Sequence, residues 1–324
     1  MSVQKGAIMS RMHRRNPAVL VAIGLSVGLV AFGAAAATAA PNAGHARTAS
    51  VVAATSPPIC TSATRPKLAA RISRRVLAAL ATRTRSVVGL KVTDPRDGLT
   101  CKLHQGYHFD SASVIKVTII SALLLKKGGP RRLTAHQRAL AWKMITLSDN
   151  DAATTLWNQV GMAGMQAFLT KAGMTHTFLS DAWGLTQITA QDEIKLLQLL
   201  TNPGTVLNKN SRHYVLYLMA HVVSYERWGV SAGAPTSVTV HIKNGWLPDP
   251  GTDNWHINSI GAFTGHNINY QLVILTYGHQ SESYGISTIQ AAAGVINRQI
   301  AGVQAASSPT TVLPNKASLT APGG

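Results

Sequence analysis

Three short strings carry residue types that can do acyl-transfer chemistry. The first is Ser113-Val-Ile-Lys116. A serine hydroxyl is a poor nucleophile until a base takes its proton. A lysine three residues on shares the same helical face, and it can act as that base if burial beside other donors lowers its pKa. A helix start at this point adds positive potential, which disfavours the charged lysine and favours a developing oxyanion. The second string is Ser148-Asp149-Asn150. The Ser148 hydroxyl can relay a proton to a departing nitrogen, and the Asn150 amide can hold an acyl-amide and bond Lys116. Asp149 pins the loop, because a carboxylate beside an anionic substrate would repel it. The third string, Lys243-Asn244-Gly245, offers a cation for a substrate carboxylate.

Each string taken singly has a plainer reading. Ser113 and Lys116 alone could be a helix-start serine and a surface lysine, and Ser2-Val-Gln-Lys5 has the same spacing. Ser148-Asp149-Asn150 alone could cap a helix beginning near Ala152. The order of the three, and the local context of each, carries the argument. The rival Gly-x-Ser-x-Gly pattern occurs twice, at Gly24 to Gly28 and Gly229 to Gly233. Neither has the required strand before it and helix after it. The 12 histidines show no paired metal-ligand spacing, so no metal is expected. His241 shares a strand face with Lys243 and either lines the cleft or is a satisfied core residue.

Together the three strings resemble those of the penicillin-recognising serine hydrolases, the class A β-lactamases and the D-alanyl-D-alanine peptidases related to them. The resemblance implies Ser113, Lys116 and Ser148 as catalytic residues, with Asn150, Lys243, Asn244, Gly245 and Trp246 binding substrate. It implies an oxyanion site made by the backbone amides of Ser113 and Trp246, the latter on a sheet edge. Asn244 stands where the family has a threonine or serine, as a bulkier group that can still donate to a carboxylate. The implied substrate is a small molecule, a β-lactam or a D-alanyl peptide, handled by a monomer without a cofactor. Two departures bear on the outcome. The stretch between Lys116 and Ser148 is shorter than in class A enzymes, which opens one side of the entrance. The loop at 173–189 lacks the glutamate that releases the acyl-enzyme, and its one carboxylate, Asp181, is the remaining candidate for deacylation. The motifs therefore support acylation more firmly than release. The readings are a β-lactamase, a D,D-peptidase that releases β-lactams slowly, and a non-catalytic wall-binding relative.

The elements that must position these residues follow an α+β order. Periodicity predicts a helix over 67–80, a hairpin from 87–93 through Cys101, and a helix over 114–125 capped by Asp110 or Ser111. Helices follow over 135–147 and 191–200, and 152–160 starts another between them. Three β-rich runs at 237–243, 256–263 and 271–276 then lead to a last helix over 287–300. The resemblance supplies the architecture: one antiparallel sheet built from the N- and C-terminal parts, with a helical subdomain (about 112–225) inserted and the site at their junction. The serine hydrolase domain is expected over 59–304.

Ahead of it, Arg11, Arg14 and Arg15, an apolar run over 18–37 and Ala37-Thr-Ala39 make a secretory signal peptide over 1–39. An uncleaved membrane anchor is the alternative. Segments 40–58 and 305–324 read as disordered linker and tail. In an exported, oxidising setting the only two cysteines, Cys60 and Cys101, are expected to pair, with two buried thiols as the alternative. Formal net charge is +18, and without the first 39 residues 26 basic residues still face 12 acidic ones. Such a field favours polyanions. Outside a cell these are anionic wall polymers or lipid headgroups, and no nucleic-acid module is present. Simple solubility is the other reading of this charge.

Overall fold

The computed structural model describes residues 57–83, 86–249 and 251–307. The expected signal peptide, nearly all of the linker and the tail from 308 onward lie outside the described residues.

Cys60–Ser62 forms β1 and Pro66–Ala81 forms α1. Proline at the first helical position costs no hydrogen bond there. Leu68, Ala69, Ile72 and Val76 turn one stripe of α1 inward, while Lys67, Arg71, Arg74 and Arg75 face solvent. The hairpin is β2 (Val87–Asp94) and β3 (Leu99–Leu103), and β1 pairs with β3 so that Cys60 faces Cys101. Those two cysteines form a disulfide. After a two-residue strand β4 (Phe109–Asp110) come the helices α2 (Ile115–Lys127), α3 (Ala135–Thr146) and α4 (Asn150–Ala172). β5 (Gln187–Ile188) pairs back with β4, and α5 (Ala190–Thr201) and α6 (Lys209–Ala220) complete the helical block. The chain then gives β6 (Thr239–Pro248), β7 (Trp255–Gly265), β8 (Ile268–His279) and α7 (Glu282–Ser307).

The six-stranded sheet runs β1-β3-β2-β8-β7-β6, antiparallel throughout. Its N- and C-terminal halves meet where β2 pairs with β8, from Val87 opposite Tyr277 to Thr93 opposite Gln271. α1 and α7 pack together, with α7 against β7 and β8, and α5 lies against β2 and β8. The expected α+β sheet with helices between its two halves is what the structure shows.

Four details differ from the sequence reading. α6 was not anticipated, because its buried residues (Ser211, Val215, Leu218, Met219) alternate with the less buried Tyr214, Leu216 and Tyr217, which blur the stripe. The helix expected to start over 152–160 continues to Ala172, and Gly161 at φ +73° breaks its geometry with a kink that the sequence reading did not include. β6 extends to Pro248, which sets Lys243 to Trp246 in mid-strand rather than at its end. α7 carries regular helix through Ser307, into the segment expected to be a disordered tail.

Candidate active site

Ser113 sits in a 3-10 turn, Ala112–Val114, between β4 and α2. Ala112 takes φ +47°, a region L-residues rarely adopt, so the turn must be held from outside. It is. The Ser111 amide donates to Thr186 O at 2.8 Å, and Asn258 Nδ2 on β7 donates to Asp110 O at 2.7 Å. The expected caps behave otherwise. Ser111 stands at the cap position but its hydroxyl donates to Trp183 O at 3.2 Å. Asp110 belongs to β4, where its carboxylate accepts from Gln187 Nε2 and lies 3.7 Å from His256 Nε2.

Lys116, in the first turn of α2 and one turn beyond Ser113, has no exposed surface. Its Nζ donates to Ser148 O at 2.6 Å and Asn150 Oδ1 at 2.8 Å, and stands 2.8 Å from Ser113 Oγ. Burial, and then the nearby Lys243 ammonium, push its pKa down to about 7, against Glu226 and Asp149. Two of its partners are carbonyl-type oxygens that can only accept. A neutral Lys116 amine must donate to both, which leaves its lone pair for the Ser113 hydroxyl.

Ser148 is held at φ +53° just before α4. Asp149 caps that helix, its Oδ1 accepting from Ala152 N at 2.7 Å, so the triplet is a helix cap as well as a partner to Lys116. The Ser148 hydroxyl lies between two lysines, 2.9 Å from Lys243 Nζ and 3.3 Å from Lys116 Nζ. Lys243 is fully buried, donates to its neighbour's carbonyl at 2.8 Å, and has Glu226 Oε2 at 3.5 Å. Burial lowers its pKa to about 8, with the Glu226 carboxylate opposing. At neutral pH the site thus pairs a Lys116 poised to lose its proton with a Lys243 that keeps one.

β6 is an edge strand, and it comes against the nucleophile turn at Gly245. A methyl group there would fall 2.7 Å from the Ser113 nitrogen and 2.9 Å from that of Val114. Only glycine permits this approach, which brings the backbone leading into Trp246 beside the Ser113 amide. Trp246 itself is half-buried against Trp228. Asn244 departs from the expectation that it binds substrate. It is fully buried, its Nδ2 donates to Glu226 O and Trp228 O, and its Oδ1 accepts from Ser259 Oγ at 2.6 Å. With both ends of the amide engaged beneath the strand, it braces the segment carrying Glu226. His241 is also satisfied internally, bonded to Leu216 O at 2.7 Å and Thr264 Oγ1 at 2.8 Å, and burial lowers its pKa.

The loop at 173–189 presents Trp183, not Asp181, to the site. The Trp183 ring centroid lies 5.0 Å from Lys116 Nζ, and its indole N–H donates to Thr154 Oγ1 at 3.1 Å. Asp181 is exposed and forms no hydrogen bond or ion pair among the described residues. Its expected part in deacylation therefore finds no support in the geometry.

Glu226, Trp183, Asn258 and Ser259 were missed in the sequence. Only Glu226 left a signal: it is the sole carboxylate between Glu193 and Asp249. The others are ordinary loop or strand residues that matter through long-range contacts. Among the described residues no group of three or more histidine, cysteine or acidic side chains is placed to hold a metal.

Residues 126–300 match the model of the β-lactamase enzyme family, and the chain belongs to that family. Solved structures share the fold at low identity. A class A β-lactamase from Bacteroides cellulosilyticus superposes with a TM-score of 0.62 at 15% identity, over 72% of this chain and 98% of that one. A β-lactamase from Streptosporangium roseum gives 0.60 at 20% identity, over 72% and 99%. PBP-A gives 0.61 at 17% identity, over 71% and 96%. No curated protein matches the chain.

Proposed function

We propose that this protein is a serine hydrolase of amide bonds, acylated on Ser113 by a β-lactam or a D-alanyl peptide and then hydrolysed. The observation that carries the reading is the bonding of Lys116, whose two obligate acceptors aim its lone pair at Ser113. In this reading Ser113 gives its proton to Lys116 and attacks the carbonyl carbon. The oxyanion is met by the Ser113 amide and the β6 edge at Trp246. The Lys116 proton then passes through Ser148 Oγ to the leaving nitrogen, while Lys243 and Asn150 hold the substrate carboxylate and amide. No cofactor is required.

A second reading, a cell-wall D,D-peptidase that releases β-lactams slowly, is favoured by one feature. The side chain set beside Lys116 by the 173–189 loop is an indole, which cannot activate a water. General-base help is worth about 10²–10⁴ in rate. PBP-A, similar in fold, has a mutant that forms an acyl-enzyme with penicillin G. The 1–39 segment supports export, and the basic charge supports a place among anionic wall polymers. Incubation with a fluorescent penicillin tests the proposal. Rapid turnover indicates a β-lactamase and a persistent adduct indicates the peptidase. An adduct of equal intensity in Ser113→Ala, or none in the wild type, sinks the nucleophile assignment.

A further inference from the structure

A groove of about 870 Å³ lies away from Ser113, between α6 and the outer sheet strands. Lys209, Arg212 and His213 line one side, Tyr217 and His221 the next turn, and Thr239 and Thr264 the wall opposite. None of its lining residues is a carboxylate, and no ion pair involves Lys209 or Arg212 among the described residues. Arg212 is half-buried, and its Nη1 donates to Leu207 O at 2.9 Å. That bond steers the guanidinium and leaves its remaining donors to a ligand, in the planar fork that suits phosphate or carboxylate oxygens.

Beside these cations stands an aromatic shelf. Tyr217 is 51% exposed and Trp142 39% exposed, so each ring leaves part of its surface open to solvent. The Tyr217 and His221 centroids are 4.1 Å apart, and Trp142 lies 6.1 Å from Tyr217 and 5.7 Å from His221. Rings left open next to unpaired cations suit a ligand with an apolar face and an anionic group. A sugar ring, with its C–H face, that carries phosphate or carboxylate has both. The basic stripe on α1 (Lys67, Arg71, Arg74, Arg75) is as strongly charged but has no aromatic residue in its helix.

We propose that this groove binds an anionic glycan, its acidic group on Arg212 and Lys209 and a sugar ring on the Tyr217 face. The site gives a place to the polymer-binding part of the function proposed above and does not depend on acylation of Ser113. It shares strand β6 with the site around Ser113. His241, in the groove wall, precedes Lys243 by two residues on β6, about 7 Å along the strand.

Titrations of the full-length protein would use four probes: a glucosaminylated ribitol-phosphate polymer, a uronic-acid glycan, inorganic polyphosphate and a neutral N-acetylglucosamine oligomer. The proposal expects one or both anionic glycans to bind more tightly than polyphosphate or the neutral oligomer, and the tighter glycan identifies the acidic group. Arg212→Gln should weaken glycan binding about tenfold. Tyr217→Ala should weaken it about fivefold, with Tyr217→Phe close to wild type and polyphosphate binding unmoved. The Arg71→Gln/Arg74→Gln pair should bind as wild type. The proposal is overturned if no glycan binds, if polyphosphate binds as tightly as both glycans, or if the α1 pair weakens binding as much as Arg212→Gln. Glycan binding should persist in Ser113→Ala, so a failure of acylation and a failure of this site are read separately.

Discussion

Replacing Glu226 by glutamine removes the one carboxylate paired with the buried Lys243. With that carboxylate present, Lys243 holds its proton up to about pH 8 although burial opposes the charge. Without it, burial alone governs, and Lys243 should stay neutral to below pH 6. The stability difference is then set by proton binding. It is nearly absent at pH 9.5, where both proteins carry a neutral amine. Below pH 8 it grows by about 1.4 kcal/mol per pH unit, giving about 1.4 kcal/mol at pH 7 and about 2.7 at pH 6. The glutamine oxygen can still accept from Lys243, so little is lost beyond this pH-dependent part. Urea unfolding of both proteins at pH 6, 7 and 9.5 measures this. Function should follow, because a neutral Lys243 cannot pair with a substrate carboxylate. Loss of a charge-assisted bond corresponds to roughly 10–100-fold weaker substrate recognition. The acid limb contributed by Lys116 should move little, since the variant loses both the Glu226 charge that raises its pKa and the Lys243 charge that lowers it. An equal stability loss at pH 6 and pH 9.5 would refute the reasoning, for it would mean that Glu226 acts by shape and packing alone.

Four further outcomes follow from the geometry. Adduct formation should fall about tenfold per unit below pH 7 as Lys116 gains its proton, and a flat profile between pH 5 and 8 would remove Lys116 as the base. Gly245→Ala should slow acylation by about 10² or more, because its methyl collides with the Ser113 amide; stopped-flow acylation near the wild-type rate would show that this contact is unimportant. Trp183→Glu places a carboxylate beside Lys116, so adduct decay should speed by about 10² while the acylation limb moves to higher pH; an unchanged lifetime would mean that water activation is not limiting. Glu193 is fully buried with neither carboxyl oxygen hydrogen-bonded, and burial pushes its pKa up to about 8. An acid raised in the fold costs stability as pH rises from 4.5 to 8, so Glu193→Gln should gain about 3 kcal/mol at pH 7 and nothing at pH 4. A gain independent of pH, seen in thermal unfolding, would contradict this.

The sequence exposed those parts of the site in which residue type and local spacing coincide. Ser113 and Lys116 lie one helical turn apart, and the Ser148 triplet starts a helix, so short-range rules reach both. The strands carrying Lys243 were legible as β-branched runs. What stayed hidden depends on contacts across the fold. Asn244 looked like a substrate ligand because its neighbours are, yet strand alternation turns it beneath the sheet, to Ser259 and the Glu226 segment. Trp183 reaches Lys116 only because β5 pairs with β4 and draws the short loop over the nucleophile turn. α6 stayed invisible because its inward stripe is short and its outward face is polar and aromatic.

The seam between β2 and β8 has a consequence for how the chain assembles. Val87 must wait for Tyr277, so β2 cannot be completed until nearly the whole domain has been synthesised. Until then the three N-terminal strands present a bare edge, the kind of surface that pairs with strangers. The Cys60–Cys101 bond lies within those early strands and can close without the later ones. It would fix the register of a template before its partner arrives, which makes the order of bond formation and strand docking a determinant of yield as well as of stability.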